Sequence, residues 1–155
     1  MYKRQVLGDV RRGLLTEESA RRVYGVHLLS GTIDQAATRA ERLQERRRRL
    51  DREPSEPVDP PAGAARAGEI LHVVDDRWWC NGADLGPVEE SWKQGAAVRE
   101  LPVSELATEF TSPDQEMADH MLLRAWYCPV TGYRLDLELA RQGEPPLADM
   151  LLVGP

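Results

Sequence analysis

The residues best suited to chemistry in this sequence lie in two short turns. Tyr127-Cys128-Pro129-Val130-Thr131-Gly132-Tyr133 has the layout of a zinc knuckle, the Cys-Pro-x-Cys-Gly turn in which two thiolates grip one side of a tetrahedral metal. Cys128 supplies the first thiolate, and Pro129 and Gly132 are in place, but Thr131 stands where the second thiolate belongs. The only other cysteine, Cys80, sits in a second turn-like stretch, Trp78-Trp79-Cys80-Asn81-Gly82. A closed structural zinc site takes four N, S or O ligands. Cys80 and Cys128 are therefore the candidate metal ligands, and two more would have to come from His72 or His120, neither at knuckle spacing. No bound metal is expected, zinc included. Two half-knuckles on strands point instead to a zinc-ribbon scaffold that has lost ligands.

No catalytic constellation accompanies these turns. The chain has no Gly-rich phosphate loop of the P-loop or Rossmann kind. His27, His72 and His120 lie far apart in the sequence, and His120 beside Asp119 points away from it on either a helix or a strand. Each histidine is read as structural or exposed. Cys128 has no basic neighbour to lower its thiol pKa, which argues against a nucleophile. Trp78, Trp79, Trp92, Trp126, Tyr127 and Tyr133 could line a pocket, but tryptophan is enriched in cores and interfaces, and packing is the reading adopted. No catalytic and no cofactor-binding residue is assigned.

The elements that would position these residues follow from composition and pattern. A chain of 155 residues, 41% hydrophobic and 30% charged, suits one modest domain with accessories. No apolar run reaches the roughly 18 residues of a membrane span, and no continuous apolar stretch follows the basic N-terminus, so neither a membrane nor a secretory signal is expected. Two cysteines make no disulfide framework, and a reducing cytoplasm is the simplest setting. The net charge of −6 hides a split: residues 1–50 carry 12 Lys and Arg against 6 Asp and Glu, while residues 51–155 carry 8 against 20. Such asymmetry steers docking between protein surfaces.

The fold class expected is α+β, in three parts: a helical arm over residues 1–50, a Pro-rich linker over 51–68, and a small β-rich, zinc-ribbon-like domain over 69–155. In the arm, Val6, Leu7 and Val10 recur at helical spacing and Gly13 is a stop. Thr16 caps a second helix, with Glu17 and Glu18 in its first turn, and Tyr24-Gly25 closes it. Val26 begins a short strand or extended docking segment, and Ser30 or Thr32 caps a third helix. That helix ends in Arg46-Arg47-Arg48-Arg49, read as a solvated or protein-docking end because no aromatic residue there offers a base a stacking partner. Pro54, Pro57, Pro60 and Pro61 give the linker little structure of its own.

In the third part Ile70-Leu71-His72-Val73-Val74 is a strand, and Arg77-Trp78-Trp79-Cys80 continues or pairs with it before the Asn81-Gly82 turn. Residues 121–127 and 133–140 form a hairpin around the half-knuckle. There Leu135, Leu137 and Leu139 alternate with Asp136 and Glu138, the signature of a half-buried strand. Residues 113–120 are acidic and read as a short helix, and residues 147–153 as an apolar tail.

These residues carry a family resemblance. Residues 69–152 resemble the small, gamma-type subunit of ATP-dependent acetone and acetophenone carboxylases. The likeness rests on residues 80–86, Glu90-Ser91-Trp92-Lys93, Arg99-Glu100-Leu101-Pro102, Trp126-Tyr127-Cys128-Pro129, residues 135–140 and residues 143–149. Residues 4–45 are similar to the C-terminal tail of the large hydantoinase-B-type subunit, through Val6-Leu7-Gly8-Asp9-Val10-Arg11-Arg12-Gly13-Leu14 and residues 17–26. Relatives commonly show two Cys-x-x-Cys pairs, which this chain does not keep.

The resemblance implies a non-catalytic assembly subunit of a biotin-independent, ATP-dependent ketone carboxylase, with acetophenone to benzoylacetate as the favoured conversion. It implies hydantoinase-A-type and hydantoinase-B-type partner subunits, with ATP, bicarbonate and Mg or Mn handled there and no cofactor on this chain. It also implies a cytoplasmic complex without nucleic acid or membrane partners. The competing reading is an independent zinc-ribbon-like module binding nucleic acid through residues 46–49.

Overall fold

The computed structural model describes residues 3–103 and 120–148. Among them are three α-helices and three antiparallel sheets, a mixed α+β chain that divides into two compact units, residues 1–48 and 49–155.

In the first unit, helix α1 (Lys3–Arg11) stops at Gly13, whose φ of 72° lets the Leu14 N–H reach the Asp9 carbonyl at 2.9 Å and the Gly13 N–H reach Val10 at 3.0 Å. These are the paired bonds of a Schellman cap. Helix α2 (Glu17–Tyr24) starts on Thr16, whose hydroxyl accepts from the Ser19 N–H at 3.0 Å, and ends on Gly25 in the left-handed conformation. Strand β1 (Leu28–Leu29) then pairs with β2 (Thr32–Ile33) around Ser30-Gly31, both at positive φ. Because that hairpin uses Ser30 and Thr32, neither caps the third helix. Helix α3 (Gln35–Leu50) starts instead on Asp34, whose carboxylate accepts from the Ala37 N–H at 2.9 Å. Val6, Ala20 and Val26 form the core, with Thr38 sealed beside it and accepting from the His27 N–H at 3.0 Å. Leu14, Val23, Tyr24 and Leu29 stay exposed, so this unit buries little apolar surface of its own.

The second unit holds two meanders. One runs β3 (Ala65–Arg66), β4 (Leu71–Val74), β5 (Arg77–Cys80) and β6 (Ala83–Pro87); the other runs β7 (Ala97–Pro102), β8 (Met121–Tyr127) and β9 (Arg134–Arg141). Asp75-Asp76 and Asn81-Gly82, all at positive φ, close the β4–β5 and β5–β6 hairpins in two residues each. A 3-10 turn, Trp92–Gln94, capped by Ser91, leads to β7. Gly95 follows by necessity, since a Cβ there would lie 2.4 Å from the Leu85 carbonyl oxygen. The core joins Leu71, Trp78, Cys80 and Leu85 of the first sheet to Trp126 and Cys128 of the second, with Trp92 among them. Trp92 and Trp126 meet edge to face, ring centroids 6.4 Å apart, and the Trp78 indole N–H donates to the Glu90 carbonyl at 2.9 Å. The aromatic cluster is thus mainly packing. The acidic segment 113–120 lies outside the described residues apart from His120, and so does most of the 147–153 tail.

Strand β9 is half-buried, but on the opposite face from the one its leucines suggest. Leu137 and Leu139 are 45% and 60% exposed, while Glu138 and Ala140 are buried. A bulge supplies the reason. Tyr127 pairs with Arg134 and Trp126 with Asp136, so Leu135 is the extra residue, and it turns inward against the core. The extra residue changes the parity of the strand and puts the acids inside.

There the acids meet buried cations. Lys93 Nζ lies 3.2 Å from Glu138 and 3.1 Å from Asp136, and it sits 5.7 and 5.6 Å from the ring centroids of Trp92 and Trp126. Arg124 reaches Glu138 at 3.2 Å and Glu100 at 2.8 Å. The same groups hold the chain beyond β9: Arg124 donates to the Glu144 carbonyl and Lys93 to the Leu147 carbonyl, each at 3.0 Å, and Glu138 accepts from the Leu147 N–H at 3.4 Å. Removing one member of such a buried set leaves uncompensated charge. Glu138→Gln is therefore expected to lower the unfolding free energy by about 3 kcal/mol or more. Leu139→Ser on the exposed face should stay within about 0.5 kcal/mol. Urea denaturation of the two variants checks the contrast, and similar small losses in both would contradict it.

Candidate functional site

The two half-knuckles come together in the second unit. The Asn81-Gly82 turn makes Cys80 and Ala83 a cross-strand pair, so their side chains leave the sheet on one face. In the β8–β9 connection the Cys128 N–H donates to the Tyr133 carbonyl at 2.8 Å and the Gly132 N–H to the Cys128 carbonyl at 2.9 Å, with Gly132 at a φ of 69°. Cys80, Cys128 and Thr131 are completely buried, and Ala83 and Asn81 nearly so. Both cysteines are free. The Cys128 Sγ lies 3.3 Å from the Cys80 carbonyl, and Asn81 Nδ2 donates to Thr131 Oγ1 at 3.4 Å.

Ionisation of the pair is asymmetric. The Cys80 side chain holds the Cys128 thiol down to about 6 against the opposing effect of burial, with help from the Thr131 hydroxyl and the backbone of Thr131 and Val130. Cys80 is pushed up by the Cys128 side chain and by burial. The expectation that Cys128 would keep an ordinary thiol pKa for want of basic neighbours is therefore corrected. Its stabilising neighbours are a thiol, a hydroxyl and backbone groups rather than cations.

The Pro-rich segment takes part in this site. The Ser55 N–H donates to the Val130 carbonyl at 2.7 Å, Arg49 Nη1 to the Gly132 carbonyl at 3.2 Å, and Arg52 to the Pro129 carbonyl. The Arg49 guanidinium also lies 5.1 Å from the Tyr127 ring centroid. Pro54 is buried, and a Cβ on Gly82 would come within 3.3 Å of Val58 Cγ2, so this stretch touches both turns. Expected to have little structure of its own, it is held along these turns by its own chain.

Neither histidine proposed as a further ligand faces the thiols. His72 pairs with Trp79 across β4–β5, one residue out of phase with the Leu71–Cys80 pair, and so lies on the other face of the sheet, against Trp79 at 5.9 Å. His120 precedes β8 and Cys128 follows it, so a strand of about 23 Å separates them. Among the described residues no group of three or more His, Cys, Asp or Glu is placed to hold a metal ion. The donor set present, two thiols with a hydroxyl and an amide, does not fit a closed four-ligand zinc site. Ala83 escaped the sequence reading, although Cys80-x-x-Ala83 repeats the spacing of Cys128-x-x-Thr131. The Lys93, Arg124 and Glu138 cluster escaped it too, and no local pattern marks it.

One protein-family model, described as acetone carboxylase gamma subunit, matches residues 66–153. No curated protein matches the chain.

The Cys80 thiol is the largest influence on Cys128. Cys80→Ala should therefore move the Cys128 ionisation midpoint from about 6 up toward the ordinary thiol value. Thiolate absorbance followed against pH measures this, and an unmoved midpoint would refute the Cys80 side chain as its cause.

Proposed function

Because the chain belongs to the acetone carboxylase gamma subunit family, whose model covers residues 66–153, we propose that it is a non-catalytic assembly subunit of a biotin-independent, ATP-dependent ketone carboxylase complex. The family match carries this reading. Acetophenone, carboxylated to benzoylacetate, is the favoured ketone. ATP, bicarbonate and Mg or Mn would be handled by hydantoinase-A-type partners in the cytoplasm, and this chain would contribute no cofactor to that reaction.

The first unit would act as a docking arm resembling the tail of hydantoinase-B-type subunits. Its exposed Leu14, Val23, Tyr24 and Leu29 and its excess of basic residues suit a protein partner. Arg48 pairs with Glu45 at 3.2 Å, and Arg49 is engaged by Gly132 and Tyr127, which favours protein docking over nucleic-acid binding for the arginine run. Deleting residues 1–50 should abolish co-purification with the large subunits and ketone-dependent ATP hydrolysis by the complex. Normal assembly and turnover without the arm would sink the assignment.

In this reading the β-rich unit is a zinc-ribbon-like scaffold that has shed two ligands. Positions 80, 83, 128 and 131 would then be the four corners of the ancestral site. Ala83→Cys combined with Thr131→Cys should restore stoichiometric zinc binding, measured by elemental analysis after dialysis. Failure of the folded double variant to hold zinc would refute the ribbon ancestry while leaving the assembly role intact.

A further inference from the structure

We propose that a cleft lined by both sheets of the second unit binds a short keto acid with an apolar, aryl-sized body. The cleft has a volume of about 400 Å³ and lies between residues 68–71, where the chain enters β4, and residues 133–135, where it enters β9. Trp92 lines it as well. Small-molecule sites have volumes of this order and walls that are mostly apolar with a few polar groups. Here Ile70, Leu71 and Leu135 supply aliphatic surface, and Trp92 and Tyr133 supply aromatic surface. The chain's own bonds hold these walls in place. The Ala67 and Gly68 N–H groups both donate to the Leu71 carbonyl, at 3.0 and 2.9 Å, and Arg66 Nε donates to the Gly68 carbonyl at 2.9 Å. On the other side the Tyr133 carbonyl accepts from the Cys128 N–H at 2.8 Å. A site already shaped in this way spares its ligand the cost of ordering it.

Three polar groups of the lining residues are left open, and they set the ligand's chemistry. Arg134 and Glu69 are exposed, and among the described residues no hydrogen bond or ion pair engages either side chain. Trp92 is only 2% exposed, yet its indole N–H meets no acceptor among them. A buried indole N–H usually finds one. Two of the three groups are donors, so a molecule with two acceptors suits the cleft. A carboxylate matches the planar fork of the Arg134 guanidinium, and a carbonyl oxygen suits the neutral indole N–H. An amine would satisfy Glu69 alone, meet Arg134 as a like charge and leave the indole unpaired. Glu69 opposes the charge of an acid and so lowers its affinity without changing its class. The inference rests on the carboxylase reading only for the natural ligand, since benzoylacetate is an aryl keto acid. Binding itself needs no large subunit.

The test is calorimetric titration of the full chain with 3-benzoylpropionate, a keto acid that keeps its carboxyl group in solution. Two analogues serve as controls: 4-phenylbutyrate lacks the carbonyl, and butyrophenone lacks the carboxylate. The keto acid should bind at one site per chain, roughly tenfold or more tighter than butyrophenone and several-fold tighter than 4-phenylbutyrate. Arg134→Gln should weaken it by roughly tenfold, and Glu69→Gln should tighten it. Both side chains are exposed and unengaged among the described residues, so neither variant disturbs the fold. In a nitrogen-15 spectrum the Trp92 indole N–H resonance should move with the keto acid and stay in place with 4-phenylbutyrate. Absence of saturable binding at millimolar ligand, equal affinity for all three compounds, or unchanged affinity in Arg134→Gln would each overturn the proposal. Tighter binding in Arg134→Gln with weaker binding in Glu69→Gln would overturn it in favour of an amine site. Failure here leaves the assembly reading to its own deletion test, and keto-acid binding by a chain that does not co-purify with large subunits would uphold the cleft alone.

Discussion

A carboxylate sealed between an ammonium and a guanidinium obliges the chain around it to stay closed, because any opening that separates the charges strands one of them in a dry interior. Glu138 is that carboxylate, with Lys93 on one side and Arg124 on the other. The three residues come from the 3-10 turn, the central strand of the second sheet and its edge strand, so their pairing fixes how those elements meet. The same groups extend outward to Glu100, Asp136 and the backbone of Glu144 and Leu147. The bulge that turns Glu138 inward leaves Leu137 and Leu139 of β9 at the surface.

The knuckle site follows a related logic with a smaller charge. A closed zinc site holds its turns together through the ion. Here turn backbone bonds, one thiol hydrogen bond and the Pro54 stretch do that work. The chain matches the gamma-subunit family over these residues, and its donor set here does not suit zinc. At its centre lie two buried cysteines with unequal affinities for the proton.

Local rules of the sequence were readable where one residue decides a conformation. Gly13, Thr16 and Gly25 stop and start the first two helices as their types require, and Asn81-Gly82 closes its hairpin. The hairpin around Cys128 was legible from alternation and turn residues. The orientation of β9 was not, because the bulge at Leu135 leaves no mark in the residue types and reverses what period-2 reasoning implies. The cap of α3 was misplaced because Ser30 and Thr32 are equally good cap residues until the hairpin claims them. Proline content made the 51–68 segment look unstructured, whereas its backbone bonds reach partners more than sixty positions away, as Ser55 to Val130 shows. The depression of the Cys128 pKa depends on Cys80, 48 positions earlier, and no scan of neighbours finds it.

The reach of the Glu138 cluster also sets an order of assembly. The β4–β5 and β5–β6 hairpins join residues a few positions apart, so closing them costs little chain entropy. Lys93 must instead find Glu138 and the Leu147 carbonyl, 45 and 54 positions along the chain. Contacts of that span form slowly, since the loop is closed before its reward arrives. The nascent chain has to be made past Leu147 before this cluster can be complete.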